Sequence, residues 1–422
     1  MIIAHLADLH LGYRAYHRLV PGDDGGTPRY NARERDVSLA FRAALERVVE
    51  LRADLVLVAG DVFHSVRPSN AAIADAFRQF ARLHERLPDA PIVIAAGNHD
   101  SPRAIETGSI LTLLEEIPNV TVVDRQVRVI EFPKLDTAVM CVPHNALAGD
   151  GLGALEPTTA ARTQILVLHC TVRGEQVDRL LGYVSEFGGA QIDIEDLRIE
   201  RWDYVALGHY HIATQLAPNM WYAGGLERTS TNPWIETGAK GFVTFDSKTR
   251  ATAFHPVMSR PTVELQRLSA LAPGLAGGYL EPAAIDAAIR DRVDAVKGGI
   301  DGKIVRLVLE DLPRELFRDL DHRRLREYRS RALHFHLDAR RPAHRGRLPE
   351  LPAGPPRSLE EETEKFLREV WQPTGGDIEV DRLVTLAAEY LAQAGDDDEP
   401  LLDAGDPADE PLPVQPASEM PD

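Results

Sequence analysis

The 422-residue chain is 44% hydrophobic and carries a formal net charge of −18, a balance that excludes a fibrous or low-complexity polymer and accommodates two or three globular domains. No apolar run is long enough to span a bilayer and no charged-then-apolar leader opens the chain, so a cytoplasmic protein with no membrane partner is expected. The two cysteines, Cys141 and Cys170, lie in apolar runs. They exclude a disulfide framework and read as small buried hydrophobes, with a metal role for Cys170 left open by its neighbour His169.

The charge is unevenly placed. Residues 395–422 hold ten acidic residues and no basic one, so this stretch carries −10 and the remainder −8. Rich in proline and poor in aromatics, it reads as a disordered, solvated tail. Arg314–Arg347 is the opposite, with eleven arginines against five acidic residues. Where charge sits says more here than its sum.

In chain order, residues 1–258 alternate short apolar runs with helical patterns, which predicts a layered α/β domain. A helix is predicted over Asn31–Leu51, with Val37, Phe41, Leu45 and Val48 on one face. Ser69 is placed to cap a second helix that runs to about Leu87. Between them Pro21–Pro28 reads as a Gly/Asp-rich loop. Strands are expected at Val120–Val123, Val127–Phe132, Ala138–Val142, Trp221–Ala223, Gly241–Phe245 and Thr252–Val257, enough for a second sheet packed on the first.

A boundary at Ser259-Arg260-Pro261 opens a smaller α+β unit over 259–341. It has a helical pattern at Ala283–Val296, a strand at Lys303–Leu309 and an Arg-rich helical stretch at Arg314–Arg331. Residues 342–357 read as a Pro/Gly/Arg linker. Residues 358–394 read as a helix-loop-helix opened by the capping pair Ser358 and Glu361. Phe366, Leu367, Val370 and Trp371 line the first helix, and Leu383, Val384 and Leu391 the second.

Five apolar runs end in the same chemistry. Ile2–Ala7 leads to Asp8-Leu9-His10, Leu55–Ala59 to Gly60-Asp61, and Pro91–Ala95 to Gly97-Asn98-His99-Asp100. Ile165–Leu168 leads to His169, and Tyr204–Leu207 to Gly208-His209-Tyr210-His211. In open α/β sheets the functional crevice lies beyond the carboxyl ends of the strands, where all of these residues fall. Asp8 and His10, two apart in an extended segment, are expected to project to one side. Asp8, His10, Asp61, Asn98, His169, His209 and His211 offer seven oxygen and nitrogen ligands, enough for two metals that share Asp61. A donor set without thiolate favours Mn, Fe or Zn in a catalytic role.

Two ions 3.5–4 Å apart suit hydrolysis of a phosphate ester, with water activated between them (a separation of about that size being general for such sites). The leaving oxygen then needs a proton, and His99, next to Asn98, is the candidate donor. Asp100 either orients His99 or serves as a turn residue.

Together, Asp8-x-His10, Gly60-Asp61, Gly97-Asn98-His99-Asp100, His169 and Gly208-His209-x-His211 resemble the motif series of the calcineurin-like metallophosphoesterases. Asp8-Leu9-His10-Leu11-Gly12, Gly60-Asp61-Val62-Phe63-His64-Ser65 and Arg67-Pro68-Ser69 are more narrowly similar to the DNA double-strand-break repair nucleases of the bacterial SbcD type. The resemblance implies a two-sheet sandwich flanked by helices, with a smaller α+β cap and a C-terminal helix pair. It implies one Mn-like ion held by Asp8, His10, Asp61 and His211, and a second by Asp61, Asn98, His169 and His209. His99 matches the catalytic histidine and His64 a histidine that steers the phosphodiester. The unit over 259–341 matches a DNA-facing cap by position, with Arg323, Arg324, Arg326, Arg329 and Arg331 as its DNA contacts. Residues 358–394 match the docking segment for an SMC-like coiled-coil ATPase of the SbcC type, and the family admits a homodimer.

The chain departs from the pattern at Gly225, where serine is common, and at Cys170-Thr171, where Gln-Gly is common; no ligand is lost. The implied activity is metal-dependent exonucleolytic and endonucleolytic hydrolysis of DNA in repair and recombination. The competing reading is a phosphatase or small-molecule phosphodiesterase on the same core, which needs neither basic cap nor helix pair. A catalytically silent scaffold would be expected to lack ligands.

Overall fold

The computed structural model describes residues 1–21, 30–102, 108–147, 155–175, 177, 189–272, 278–342, 359–371 and 379–396. The chain divides into two units, Met1–Ala343 and His344–Asp422.

The first unit is built on two six-stranded sheets. In one, Ile2–Leu6, Leu55–Ala59, Ile92–Ala95 and Val120–Val123 run parallel, and Lys240–Asp246 and Thr252–Val257 extend the edge antiparallel. In the other, Thr137–Val142, Thr163–His169, Tyr204–Gly208 and Met220–Tyr222 run parallel, with antiparallel Arg128–Phe132 and Thr214–Ala217 at the edges. Leu55–Ala59 explains why such runs are apolar at every position. Leu55, Leu57 and Ala59 enter the core between the sheets, with Ile165, Val167 and Tyr204 of the other sheet. Val56 and Val58 face outward and pack with Phe41 and Phe80 of the covering helices. A strand covered on both faces has no position left for a polar side chain.

The two covering helices begin as expected. Asn31 caps Ala32–Glu50, its side chain accepting from the backbone N–H of Arg33 and Glu34. Ser69 caps Asn70–Arg86 through the N–H of Ala72. Each cap satisfies N–H groups that the first helical turn leaves without an acceptor.

Residues 262–339 form a third, four-stranded sheet from Thr262–Glu264, Leu268–Ser269, Ile304–Glu310 and His334–Ala339. It has its own core, in which Ile285 and Ile289 of helix Pro282–Asp294 and Leu325 and Tyr328 of helix His322–Arg331 meet Val305, Leu307 and Phe335. The Arg-rich stretch is two helices, Arg314–Arg318 and His322–Arg331. The break falls at Asp321, whose carboxylate caps the second helix through the Arg324 N–H at 3.0 Å. This small domain is fastened to the sandwich: Tyr16 stacks on His334 with centroids 3.9 Å apart, Arg260 Nε donates to Asp36 at 2.9 Å, and Ile304 and Leu333 pack against Ala32.

In the second unit, helix Leu359–Lys365 runs into a π-helical turn, Phe366–Val370, and a second helix spans Val380–Asp396. Arg368 joins the two, pairing with Glu364 at 2.8 Å and Asp381 at 2.6 Å. None of the side chains described in this unit is buried, and Phe366 and Tyr390 are 51% and 67% exposed. The proposed cap Ser358, most of the linker, the acidic tail beyond Asp396 and the loop over 22–29 lie outside the described residues. Among the described residues no helix is long and apolar enough to cross a membrane.

Candidate metal centre

The carboxyl ends of the parallel strands in both sheets meet at one place. Gly208 makes the meeting possible: a Cβ there would collide with the Ala59 carbonyl of the facing sheet. Gly97 does the same for the third loop, where a Cβ would strike the Asp61 carboxylate. Asp8, His10, Asp61, His169, His209 and His211 are all 2% exposed or less.

The backbone carrying them is unusual. Asp8 (φ 50°), His10 (47°), Asp61 (54°) and His209 (109°) all have positive φ, four of the eleven non-glycine residues that do among the described residues. Such conformations cost roughly 1–3 kcal/mol each and persist only where the surroundings fix them. Asp8 and His10 therefore share a side for a different reason from the extended geometry expected of them. The strand ends at Leu6, and the turn beyond it is held by hydrogen bonds from Asp8 N–H to the Gly60 carbonyl (3.1 Å) and from His10 N–H to the Asp61 carbonyl (2.9 Å).

The side chains are fixed in turn. Asp8 accepts the His209 N–H at 3.0 and 3.2 Å, and Asp61 Oδ1 accepts the His99 N–H at 2.9 Å. His169 donates from Nδ1 to the Ala59 carbonyl at 2.8 Å, which turns Nε2 toward Asn98 Oδ1 (2.9 Å) and Asp61 Oδ2 (3.3 Å). A ligand histidine held by its distal nitrogen is the usual arrangement in metal sites. His10 Nε2 and His211 Nε2 face one another at 2.9 Å. His209 is more telling, because both of its ring nitrogens are buried without a hydrogen-bond partner among the described residues. A buried, unpartnered imidazole is costly unless something outside the protein completes it.

Electrostatics agree. Burial brings the His209 imidazole down to about 3 and pushes the Asp8 carboxyl up to about 6. Burial alone would raise Asp61 too, but the imidazoles of His169 and His10 outweigh it and hold that carboxyl far below its ordinary range. Two buried carboxylates among converging imidazoles make a cavity suited to cations. Ligand atoms of Asp8, His10 and His211 lie within 4.8 Å of one another, as do those of Asp8, Asp61 and His169, and those of His10, His64 and His99. The donor set, oxygen and imidazole nitrogen without thiolate, fits borderline or hard divalent ions.

His99 stands beside this set. Its Nδ1 donates to the His64 carbonyl at 2.7 Å, and its ring lies edge-on to His10 at 4.9 Å. His64 stacks on His99 with centroids 5.3 Å apart, and its Nδ1 is 3.4 Å from His10 Nδ1. Asp100 does not reach the His99 ring among the hydrogen bonds present. Its carboxylate accepts the N–H groups of Val62 (3.1 Å), Phe63 (2.9 Å) and Gly97 (3.1 Å), so it locks the two loops together. Cys170 packs in the core of the second sheet, its thiol pushed up to about 12 by burial, and takes no ligand position.

The expected arginines lie elsewhere, on helix His322–Arg331. Arg331 pairs with Asp301 at 2.9 Å and Arg324 approaches Asp321 at 3.9 Å, so two of the five find acidic neighbours. Arg323, Arg326 and Arg329 are exposed and form no ion pair among the described residues. In the helix pair, Leu367, Trp371, Leu383, Val384 and Leu391 are half-buried and Phe366 is exposed; of Val370 only the backbone is described.

One strand-end histidine escaped the sequence reading. His144 follows Thr137–Val142 after Pro143, donates its N–H to the Ala96 carbonyl at 2.9 Å, and buries an Nδ1 that has no partner among the described residues. The signal was present, since this apolar run also ends in a histidine.

Comparison with known proteins adds to this geometry. Residues 1–213 match the family model described as calcineurin-like phosphoesterase, half of the chain. The DNA double-strand break repair protein Mre11 of Methanocaldococcus jannaschii is 36% identical over 116 residues, 28% of each chain. That of Methanococcus maripaludis is 33% identical over 117 residues, again 28% of each. That of Sulfolobus acidocaldarius is 26% identical over 214 residues, 50% of each. The alignments thus span between about a quarter and a half of these relatives' length.

Proposed function

The chain belongs to the calcineurin-like phosphoesterase family, and from that premise we propose that it is a metal-dependent DNA nuclease, acting as exonuclease and endonuclease in double-strand-break repair. The unpartnered buried His209, among converging carboxylates and imidazoles, carries the metal-dependent part of this reading. The similarity to repair proteins over part of the chain supports DNA as the substrate.

Asp8, His10, Asp61 and His211 would hold one ion, and Asp61, Asn98, His169 and His209 the other, Mn being the preferred metal. Bound there, the pair would supply an activated water and neutralise charge on the phosphoryl oxygens. The protein's own groups do the rest. Asp61 is held at Oδ1 by the His99 N–H, which keeps its second oxygen toward His169 and His10. Because the Nδ1 proton of His99 is committed to a carbonyl, a proton for the leaving oxygen comes from its Nε2. His64, stacked on that ring, fixes its plane and steers the phosphodiester.

The small domain over 259–341 would face DNA through Arg323, Arg324, Arg326, Arg329 and Arg331. The helix pair would dock an SMC-like coiled-coil ATPase, its apolar face filling a groove as helix anchors do; that none of the side chains described there is buried favours an external cover. The competing reading is a phosphatase or small-molecule phosphodiesterase. Hydrolysis of linear duplex DNA with Mn²⁺, abolished by chelation, supports the nuclease. Turnover of an aryl phosphodiester with no action on DNA overturns it. Deleting residues 359–396 should leave that hydrolysis intact and abolish capture of the ATPase.

A further inference from the structure

Behind the cluster of ligand atoms lies a buried ion pair that the chemistry above does not use. Glu236 is 1% exposed and Lys240 2%. Glu236 Oε1 lies 3.5 Å from His211 Nδ1 and accepts the N–H groups of Thr229 (3.1 Å) and Ser230 (2.8 Å). The other oxygen of Glu236 pairs with Lys240 Nζ. The same ammonium donates at 2.7 Å to the backbone carbonyl of His211. The pair therefore reaches both the ring and the main chain of a single residue, with the Thr229 hydroxyl also 3.4 Å from His211 Nδ1. The opposite nitrogen of that ring, Nε2, is the one that faces His10.

Buried ion pairs add little net stability on average, because desolvation consumes most of the attraction. This one is aimed at a candidate ligand on two sides. We propose that Glu236 and Lys240 are positioning residues for His211, the carboxylate holding the proton on Nδ1 so that the Nε2 lone pair faces the metal, and the ammonium fixing both the carboxylate and the His211 backbone. The proposal rests on the reading of His211 as a ligand. A carboxylate behind a ligand imidazole also raises its basicity, and loss of such a partner typically costs 10–100-fold in metal affinity.

The consequence is selective, because only the ion that uses His211 should feel the pair. Manganese binding to the full chain, followed by titration calorimetry, should show two ions for the parent and one for His211→Ala. Glu236→Gln should keep both ions but bind one of them about 10–100-fold more weakly, with the other unchanged. Glu236→Gln/Lys240→Met, which leaves no uncompensated buried charge, should do the same. Two ions bound within twofold of parental affinity in these variants, while His211→Ala loses one, would overturn the positioning role alone. Two ions retained by His211→Ala would overturn the ligand reading and the proposal with it. If the Glu236 variants do not fold, nitrogen-15 NMR of the metal-free parent decides: a proton on His211 Nδ1 is expected, and one on Nε2 contradicts the proposal.

Discussion

The strand-end cluster and helix His322–Arg331 are both dense in charge, yet the protein treats them in opposite ways. At the strand ends, carboxylates and imidazoles are stripped of water, held by backbone N–H groups and carbonyls, and carried on strained loops. On the helix, Arg323, Arg326 and Arg329 stand in solvent, where a charge needs no fixed partner. The contrast separates two uses of charge. On the proposed reading, buried convergence prepares a site for a cation, and exposed repetition a surface for a polyanion. If so, changes in the first region should act on chemistry at one point, and changes in the second on affinity in proportion to their number.

The greatest change is expected at His99. His99→Ala should lower turnover by about 10²–10⁴-fold, the usual contribution of a general acid, while both ions and DNA affinity are retained. Loss of an ion in that variant would move His99 into the ligand set. A more modest, graded effect is expected on the helix. Replacing Arg323, Arg326 and Arg329 together with glutamine should reduce the slope of log affinity against log salt by about 2–3, at roughly 0.9 for each phosphate no longer neutralised. Turnover at saturating DNA should hold; an unchanged slope would return the helix to an ordinary solvated face.

The mildest effect concerns the joint between the two regions. Burial of His334 against Tyr16 brings its imidazole down to about 4. The unfolded chain takes up that proton near pH 6.5 and the folded one does not until about pH 4. Stability should therefore fall as pH drops through that window, by on the order of 1 kcal/mol once partial exposure is allowed for. Comparing urea midpoints at pH 7 and pH 5 for the parent and His334→Phe tests this; the variant should lose part of the pH dependence.

The sequence made the sandwich legible where physics leaves little choice. A strand covered on both faces must be apolar throughout, so Leu55–Ala59 and its neighbours stood out, as did the polar residues that ended them. The cap at Ser69 was legible for a local reason of its own. Strand His334–Ala339 was not, because its alternating histidines and aspartate gave no apolar run to detect. Extended backbone would make Asp8 and His10 neighbours on one side, whereas left-handed turns are what bring them together. Glu236 and Lys240 were invisible because their significance lies in contact with His211, which is distant in sequence and carries no spacing signature. His144 was missed although the pattern that found the other five strand ends applied to it.

Everything proposed for the chemistry depends on buried carboxylates and imidazoles forming one centre in which Asp61 is common to two ions. The deciding measurement is the metal stoichiometry of purified Asp61→Ala, taken beside the parent and His211→Ala. Two manganese ions are expected in the parent, one in His211→Ala and none in Asp61→Ala. Two ions bound by folded Asp61→Ala would contradict the shared ligand.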